Sequence, residues 1–271
     1  MKLIKPSFEI LNQGPGLEGI YKQIEKAART CYKSESQITE DSAKKFVDML
    51  IARGHTAMLE HGTVYLKIPF SPSVNKYSEN PYSKIFVYYM EPTCYITTNY
   101  RVLLENDWLD DLKYLCEPTE YHEKRVTVKL ITSIGIGREL LRHRVFSFSN
   151  ESTRWINYYS KGGELTFIHS DWYTDEAGNT TAVIDNDQKW LYQNIEACYR
   201  YLVTVLNKKP EVARNVLPLS TKSELVMTGY ISDWQKVFRE RVDGISGRPH
   251  PDMIDLIEPV QEEFIKRNLI L

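Results

Sequence analysis

The chain is poor in cysteine. Its 271 residues hold four, Cys31, Cys94, Cys116 and Cys198, and no two stand in a CxxC or Cys/His ligand spacing. That leaves no pattern for structural zinc and no disulfide framework, so reduced thiols and no metal are expected. No apolar run reaches the length that crosses a bilayer. The opening residues, Met1 to Ser7, lack the apolar stretch of a signal peptide, which makes a cytoplasmic location the expectation. Excess charge of one sign is missing too: 34 Lys and Arg face 36 Asp and Glu, a net charge of −2. A broad basic stripe for nucleic acid is thereby excluded, and any electropositive surface must be local. There is no internal repeat, low-complexity tract or interdomain linker, so residues 1–271 read as one domain.

Helical spacing appears in Gly19–Tyr32, with Ile20, Ile24, Ala27, Ala28 and Cys31 on one face, and in Glu40–Arg53 before the stop at Gly54. Val64–Phe70 alternates as a strand, and Ser71–Ser83 is a Ser/Pro/Asn loop. Short strands are expected at Ile85–Tyr89 and Cys94–Thr97, and a short helix at Asn99–Glu105. Arg125–Thr132 alternates again and leads into a helix over Ser133–Arg142. A strand is expected within Tyr158–Ile168 and a turn-rich excursion over Asp171–Asp187. Asn186–Asn207 reads as an amphipathic helix with Trp190, Ile195, Cys198, Leu202 and Val205 inward. Pro210 opens a helix, Glu224–Ile231 has strand character, and Asp233–Arg241 and Pro251–Lys266 are helical. The mixture predicts an α+β fold, a central mixed sheet covered by long helices.

Residues 142–154 carry the chemistry. Arg142, His143 and Arg144 stand side by side, followed by Ser147, Ser149, Asn150, Ser152, Thr153 and Arg154. Like charges crowd together favourably only when something negative sits among them. Arg offers a planar fork of donors that fits phosphate or a pyrimidine edge. The segment reads as the floor of a site for a phosphorylated small molecule. A helix C-terminus also favours cations, but that accounts for two charges and not for the polar run.

Arg142-His143-Arg144, seven residues, then Ser152, resembles the RHRx7S signature of the flavin-dependent thymidylate synthases (ThyX family). Four further blocks follow that family's order: His55 to His61, with Glu60; Ala213-Arg214 and the residues to Leu219; Phe238 to Arg241; and His250 to Met253. Five ordered blocks are far more specific than one tripeptide. The resemblance implies a ThyX-like fold and a homotetramer with active sites shared between subunits. It implies FAD as cofactor, dUMP as substrate, methylenetetrahydrofolate as one-carbon donor and NADPH, a reduced nicotinamide, as electron source.

By this resemblance Arg241 is the catalytic residue, contacting the uracil ring; Arg239, Glu240 and Asp243 around it would equally suit a surface ion pair. Glu139, Arg142, Asn150, Glu151, Ser152, Thr153, Arg154 and Arg214 complete the dUMP set, with Arg154 and Arg214 on phosphate and main-chain N–H groups from Glu151 to Arg154 as added donors. His55, Ala57, Arg142, His143, Arg144, Asn150, Tyr230, Ile231, Ser232 and Lys236 form the FAD set. The chain departs from the commoner pattern at Glu139, where Gln is frequent; at Asn150, where Gln or Glu is usual; at Ala57, where Ser or Thr is usual; and at Tyr230 and Lys236, where Asn is familiar. An ionised Glu139 accepts hydrogen bonds and cannot donate them. Residues about 70–123 exceed the connection in compact members and read as an inserted segment. The rivals are a cysteine-dependent thymidylate synthase, which needs a Pro-Cys-His pattern absent here, and a non-catalytic nucleotide- or RNA-binding protein on the same scaffold.

Overall fold

Alternation of side chains along residues 125–133 builds the strand on which the fold is centred. The structure is a computed structural model and describes residues 1–160, 163–169, 171–175 and 180–271. In chain order its elements are β1 (Lys2–Ile4), β2 (Ser7–Leu11), α1 (Gly16–Tyr32), α2 (Ser42–Ala52), β3 (Thr63–Pro69), α3 (Asn75–Ser78), β4 (Lys84–Tyr88), β5 (Thr93–Asn99), α4 (Tyr100–Glu105), β6 (Arg125–Ser133), α5 (Ile134–Leu140), β7 (Ser147–Asn150), β8 (Thr166–Ile168), β9 (Trp172–Thr174), β10 (Thr180–Ala182), α6 (Asn186–Arg200), α7 (Pro210–Ala213), β11 (Lys222–Tyr230), α8 (Ile231–Arg241) and α9 (Pro251–Lys266). The class is α+β.

The main sheet runs β2-β6-β11-β7 and is antiparallel at every pairing. Strands β6 and β11 pair over nine residues, from Arg125 opposite Tyr230 to Ser133 opposite Lys222. Its two faces differ in chemistry because successive side chains point to opposite sides. Val126, Val128, Leu130, Leu225 and Met227 pack against Trp234, Val237 and Phe238 of α8 and Leu256, Val260 and Phe264 of α9. The opposite face is largely polar. There the Thr127 and Thr228 hydroxyls lie 2.8 Å apart, His61 Nδ1 lies 2.8 Å from Thr228 Oγ1, and Ser149 Oγ donates to the Ala27 carbonyl of α1 at 2.7 Å.

A second sheet, β3-β5-β4, is also antiparallel. It shares a core with α1 and α2 through Ile20, Ile24, Val47, Leu50, Leu66 and Ile96. Parallel pairing enters the fold through β1 and β8. The stretch expected as a loop, Ser71–Ser83, contains the short helix α3, whose Tyr77 is fully buried. The expected strand Tyr158–Ile168 narrows to β8, and the excursion at Asp171–Asp187 contains the β9–β10 hairpin. Residues 161–162, 170 and 176–179 of those two stretches lie outside the described residues.

Helix α6 corrects one expectation. Trp190, Cys198 and Val205 face outward, with Trp190 61% exposed, while Tyr192, Ile195, Tyr199, Leu202 and Val203 turn inward. Aromatic partners decide the face: Tyr192 stacks on Phe167 with centroids 4.5 Å apart, and Tyr199 sits against Tyr158 and Tyr159. The chain then continues as a π-helical turn over Tyr201–Val205, which breaks the 3.6-residue period.

Two outcomes follow from this packing. A Cβ at Gly229 would sit 2.4 Å from Phe146 Cε1, and Phe146 is buried against Trp234. Gly229→Ala should therefore destabilise the protein by about 1–3 kcal/mol, as overpacking does; an unchanged urea midpoint would contradict it. His61 is fully buried, and burial first, then the Arg125 charge, lowers its pKa to about 3. Burial raises the Glu224 carboxyl, but Lys222 and Lys129 outweigh it and hold the group at about 2. Both folded values lie below the unfolded ones, so the unfolded chain binds more protons in acid. Stability should fall as pH drops from about 6.5 toward 3 for His61, and from about 4.3 toward 2 for Glu224, each by up to about 1.4 kcal/mol per pH unit. Urea midpoints that stay level between pH 7 and 4 would exclude the His61 contribution.

Candidate active site

Helix α5 is capped by Ser133, whose hydroxyl accepts the Ile136 N–H at 3.2 Å. Its end is fixed by an aromatic anchor: Phe146 is buried edge-on to Trp234 with centroids 4.9 Å apart. Between the helix and this anchor the chain turns tightly, His143 N donating to the Leu140 carbonyl and Phe146 N to that of His143. The turn exposes Arg142 and Arg144 and half-buries His143. Among the described residues neither of those two arginines has an ion-pair partner.

Arg241 comes from the last turn of α8, an end that favours cations. Its Nε donates to Nε2 of His143 at 3.0 Å, and an Nη lies 3.5 Å from the Glu139 carbonyl. The Glu139 carboxylate is a looser neighbour at 3.9 Å. Burial, reinforced by Arg241, pushes the His143 pKa below its ordinary value. His143 is thus a neutral acceptor, with its own proton on Nδ1. The structure brings Glu139, Arg142, His143, Arg144 and Arg241 into one group, in which three arginines stand with the Glu139 carboxylate and the Glu240 charge also reaches His143.

The polar run past β7 forms a second group. The Glu151 carboxylate is buried; it accepts the Tyr158 hydroxyl and Lys222 Nζ, each at 2.9 Å, with Lys33 Nζ at 3.5 Å. Lys222 also pairs with Glu224, and Lys129 reaches Glu224 at 2.7 Å. Two of the expected main-chain donors are engaged internally, Glu151 N with the Glu224 carbonyl and Ser152 N with that of Cys31. Asn150 Oδ1 accepts from Ser223 Oγ at 3.1 Å. Thr153 is half-buried, and Arg154 is exposed and 3.4 Å from Glu211 of α7. Arg214, the residue after α7, is exposed. Arg154 thus meets a carboxylate of α7 and Arg214 directly follows that helix, in a group separate from Arg241.

The remaining expected residues lie elsewhere. His55 and Ala57 are exposed at the turn after α2. Tyr230, Ile231 and Ser232 lie at the start of α8, whose eleven residues put roughly 15 Å of helix between them and Arg241, while Lys236 lies midway along it. Tyr230 is buried, and its hydroxyl donates toward the carbonyls of Tyr82 and Thr97, so the phenol proton is engaged within the chain. Lys236 pairs with Asp233 at 3.0 Å. Sequence reasoning missed Lys84 and the Lys33–Glu151–Lys222–Glu224 network, in which Glu151 and Lys222 are buried. The alternating polar residues Lys222 and Glu224 at the head of a strand were the one available signal for the network.

Arg241→Ala should raise the His143 pKa toward about 6.5 by removing a neighbouring cation. An NMR pH titration of the imidazole protons checks this, and an unmoved titration would mean the two groups do not touch.

The model of the thymidylate synthase complementing protein family matches residues 17–76 and 117–266. A probable flavin-dependent thymidylate synthase of Paramecium bursaria Chlorella virus 1 is 33% identical over 147 residues, 52% of this chain and 66% of that protein. A flavin-dependent thymidylate synthase of Synechocystis is 27% identical over 137 residues, 47% of this chain and 61% of that one. The chain therefore spans under two thirds of the length of these relatives. The crystal structure of the UMP/dUMP methylase PolB from Streptomyces cacaoi with 5-Br dUMP aligns with a TM-score of 0.47 at 16% identity, over 98% of this chain and 93% of that one.

Proposed function

The chain belongs to the flavin-dependent thymidylate synthase family, and from that premise we propose that it methylates dUMP to dTMP with FAD, methylenetetrahydrofolate and a reduced nicotinamide, NADPH. The observation that carries the reading is the turn at Arg142–Arg144. Two exposed guanidiniums, without ion pairs among the described residues, flank a neutral histidine held by a third arginine. Such a surface suits an anionic nucleotide and an electron-rich ring system.

The residues present fit FAD at this turn: Arg142 and Arg144 have open donors, and His143 has its outer nitrogen protonated. FAD, when bound and reduced, supplies the hydride that completes the methyl group whose carbon comes from the folate. The chain's own residues bind and polarise. Arg241, oriented by His143, is placed to hold the uracil ring and stabilise negative charge on it, which is electrostatic catalysis. Arg154, Arg214 and the Ser152 hydroxyl form the phosphate end. The Glu151 carboxylate does not touch nucleotide on this reading; buried among Lys33, Lys222 and Tyr158, it fixes the loop that carries Ser152 to Arg154. Asn150, Tyr230 and Ile231 likewise shape the wall.

Within one chain these groups are apart, with the Arg142–Arg144 turn at one end of α8 and Ser232 at the other. A homotetramer that completes each site from several subunits reconciles them. Purified protein should carry or take up FAD, with its visible absorption, and form dTMP from dUMP. Arg241→Ala should lower kcat by about 10²–10³, the scale of a lost oxyanion donor, and leave FAD affinity nearly unchanged. Bound flavin with no dTMP in the wild type, or equal losses of turnover and flavin affinity in the variant, would overturn these assignments.

A further inference from the structure

Helix α6 is apolar on two sides. Its inner face is covered by the chain's own residues, Phe167, Tyr158 and Tyr159 among them. A second stripe runs along the outer face through Trp190, Asn194, Ala197, Cys198, Tyr201 and Val205, all exposed. Spacings of three and four residues set these side chains on one side of a helix. The π-helical turn over Tyr201–Val205 keeps both of its ends on that side, Tyr201 53% and Val205 59% exposed. From Trp190 to Val205 the stripe is about 22 Å long at 1.5 Å per residue, and none of its six residues is charged. The solvated face of a helix is ordinarily polar or charged. An exposed stripe with Trp and Tyr in it has the composition of an interface core.

The stripe is complementary to itself read backwards. Its middle is small, Ala197 and Cys198, and its ends are bulky. Two copies laid antiparallel about a two-fold axis at this middle set Trp190 opposite Val205, Asn194 opposite Tyr201 and Ala197 opposite Cys198. Small side chains at the crossing let the two helices approach closely. Charge follows the same symmetry. Asp185 and Asp187 stand at the N-terminal end, and Lys208 and Lys209 just past the C-terminal end, all four exposed. The Asp185 side chain caps the helix by accepting the Gln188 N–H at 2.6 Å. Among the described residues Asp187, Lys208 and Lys209 have no ion-pair partner. Antiparallel packing brings each acidic end against a basic one and opposes the two helix dipoles, whereas parallel packing sets like ends together.

We propose that the outer face of α6 is an interface between two copies of this chain, their helices packed antiparallel about a two-fold axis at Ala197 and Cys198. The contact is isologous, each copy using the same patch. It lies on a helix that carries none of Arg142, His143, Arg144 and Arg241, and it does not rest on the flavin reading.

The test is the mass of the full chain in solution, by sedimentation equilibrium, with far-UV circular dichroism as the control for folding. Ala197→Glu places two carboxylates at the crossing and should halve the mass of the wild-type assembly. Asp187→Lys and Lys208→Asp should each weaken self-association by about tenfold, since every substitution acts at two symmetric places, and the two together should restore it. A short bis-maleimide should join two copies through Cys198, and Cys198→Ser should abolish the link. A monomeric wild type, an Ala197→Glu variant of unchanged mass, charge reversals whose losses add instead of cancelling, or a cross-link that persists in Cys198→Ser would each overturn the interface. Should Ala197→Glu lose its helical signal, the exchanged Asp187/Lys208 pair decides alone, because it alters exposed residues and leaves the stripe intact.

Discussion

The nine-residue antiparallel pairing of β6 with β11 is the constraint on which the site depends. Helix α5 leaves the sheet after Ser133, at the Lys222 end; α8 leaves after Tyr230, at the Arg125 end. The two helices therefore start from opposite ends of the same ladder and cross the same apolar face. That geometry brings the last turn of α8 to the end of α5 and sets Arg241 against His143 at 3.0 Å. A slip of one residue in this register would exchange the apolar and polar faces of the strand and separate the two side chains.

The apolar face and the charged groups divide the work. Phe146, Trp234, Phe238 and Phe264 form contiguous aromatic contacts that fix where the Arg142–Arg144 turn stands. The polar side of the sheet holds His61, Thr127, Thr228 and Ser149, each with a hydrogen-bond partner. Beyond them the lysines Lys33, Lys129 and Lys222 surround Glu151 and Glu224. Buried charges persist only when paired, and here the pairing anchors the loop that carries Ser152 and Arg154. Backing of this kind orders the chain beneath the exposed arginines in advance, so a bound anion would not have to offset that ordering.

Much of the site was legible in the sequence because its residues lie in short, dense motifs. Arg142, His143 and Arg144 are consecutive, and the structure keeps them in one turn. Arg241 was legible through its motif, yet its partner was not: ninety-eight positions separate it from His143, and no local pattern links them. Glu151 was expected to face nucleotide because it stands within the motif to which the resemblance assigns that role. Its burial is set by Lys222 and Tyr158, which only folding delivers. Tyr230 stood in the flavin set by alignment of its block; the chain's own carbonyls from a separate segment engage its hydroxyl. The inward face of α6 was misread because aliphatic spacing pointed one way, while aromatic partners on β8 and the segment before it point another.

By itself the sequence determined the elements and the motif. Alternation marks the strands, 3.6-residue spacing marks most helices, and five ordered blocks mark the family, since each signal rests on neighbours in the chain. Tertiary structure alone decided which charges meet. It joined Arg241 to His143, sank Glu151 among lysines, and set Lys84 on Ser232 across 148 positions. The reason is physical: a guanidinium, carboxylate or ammonium has the same intrinsic chemistry wherever it is written, and its partner, burial and pKa are properties of the space around it.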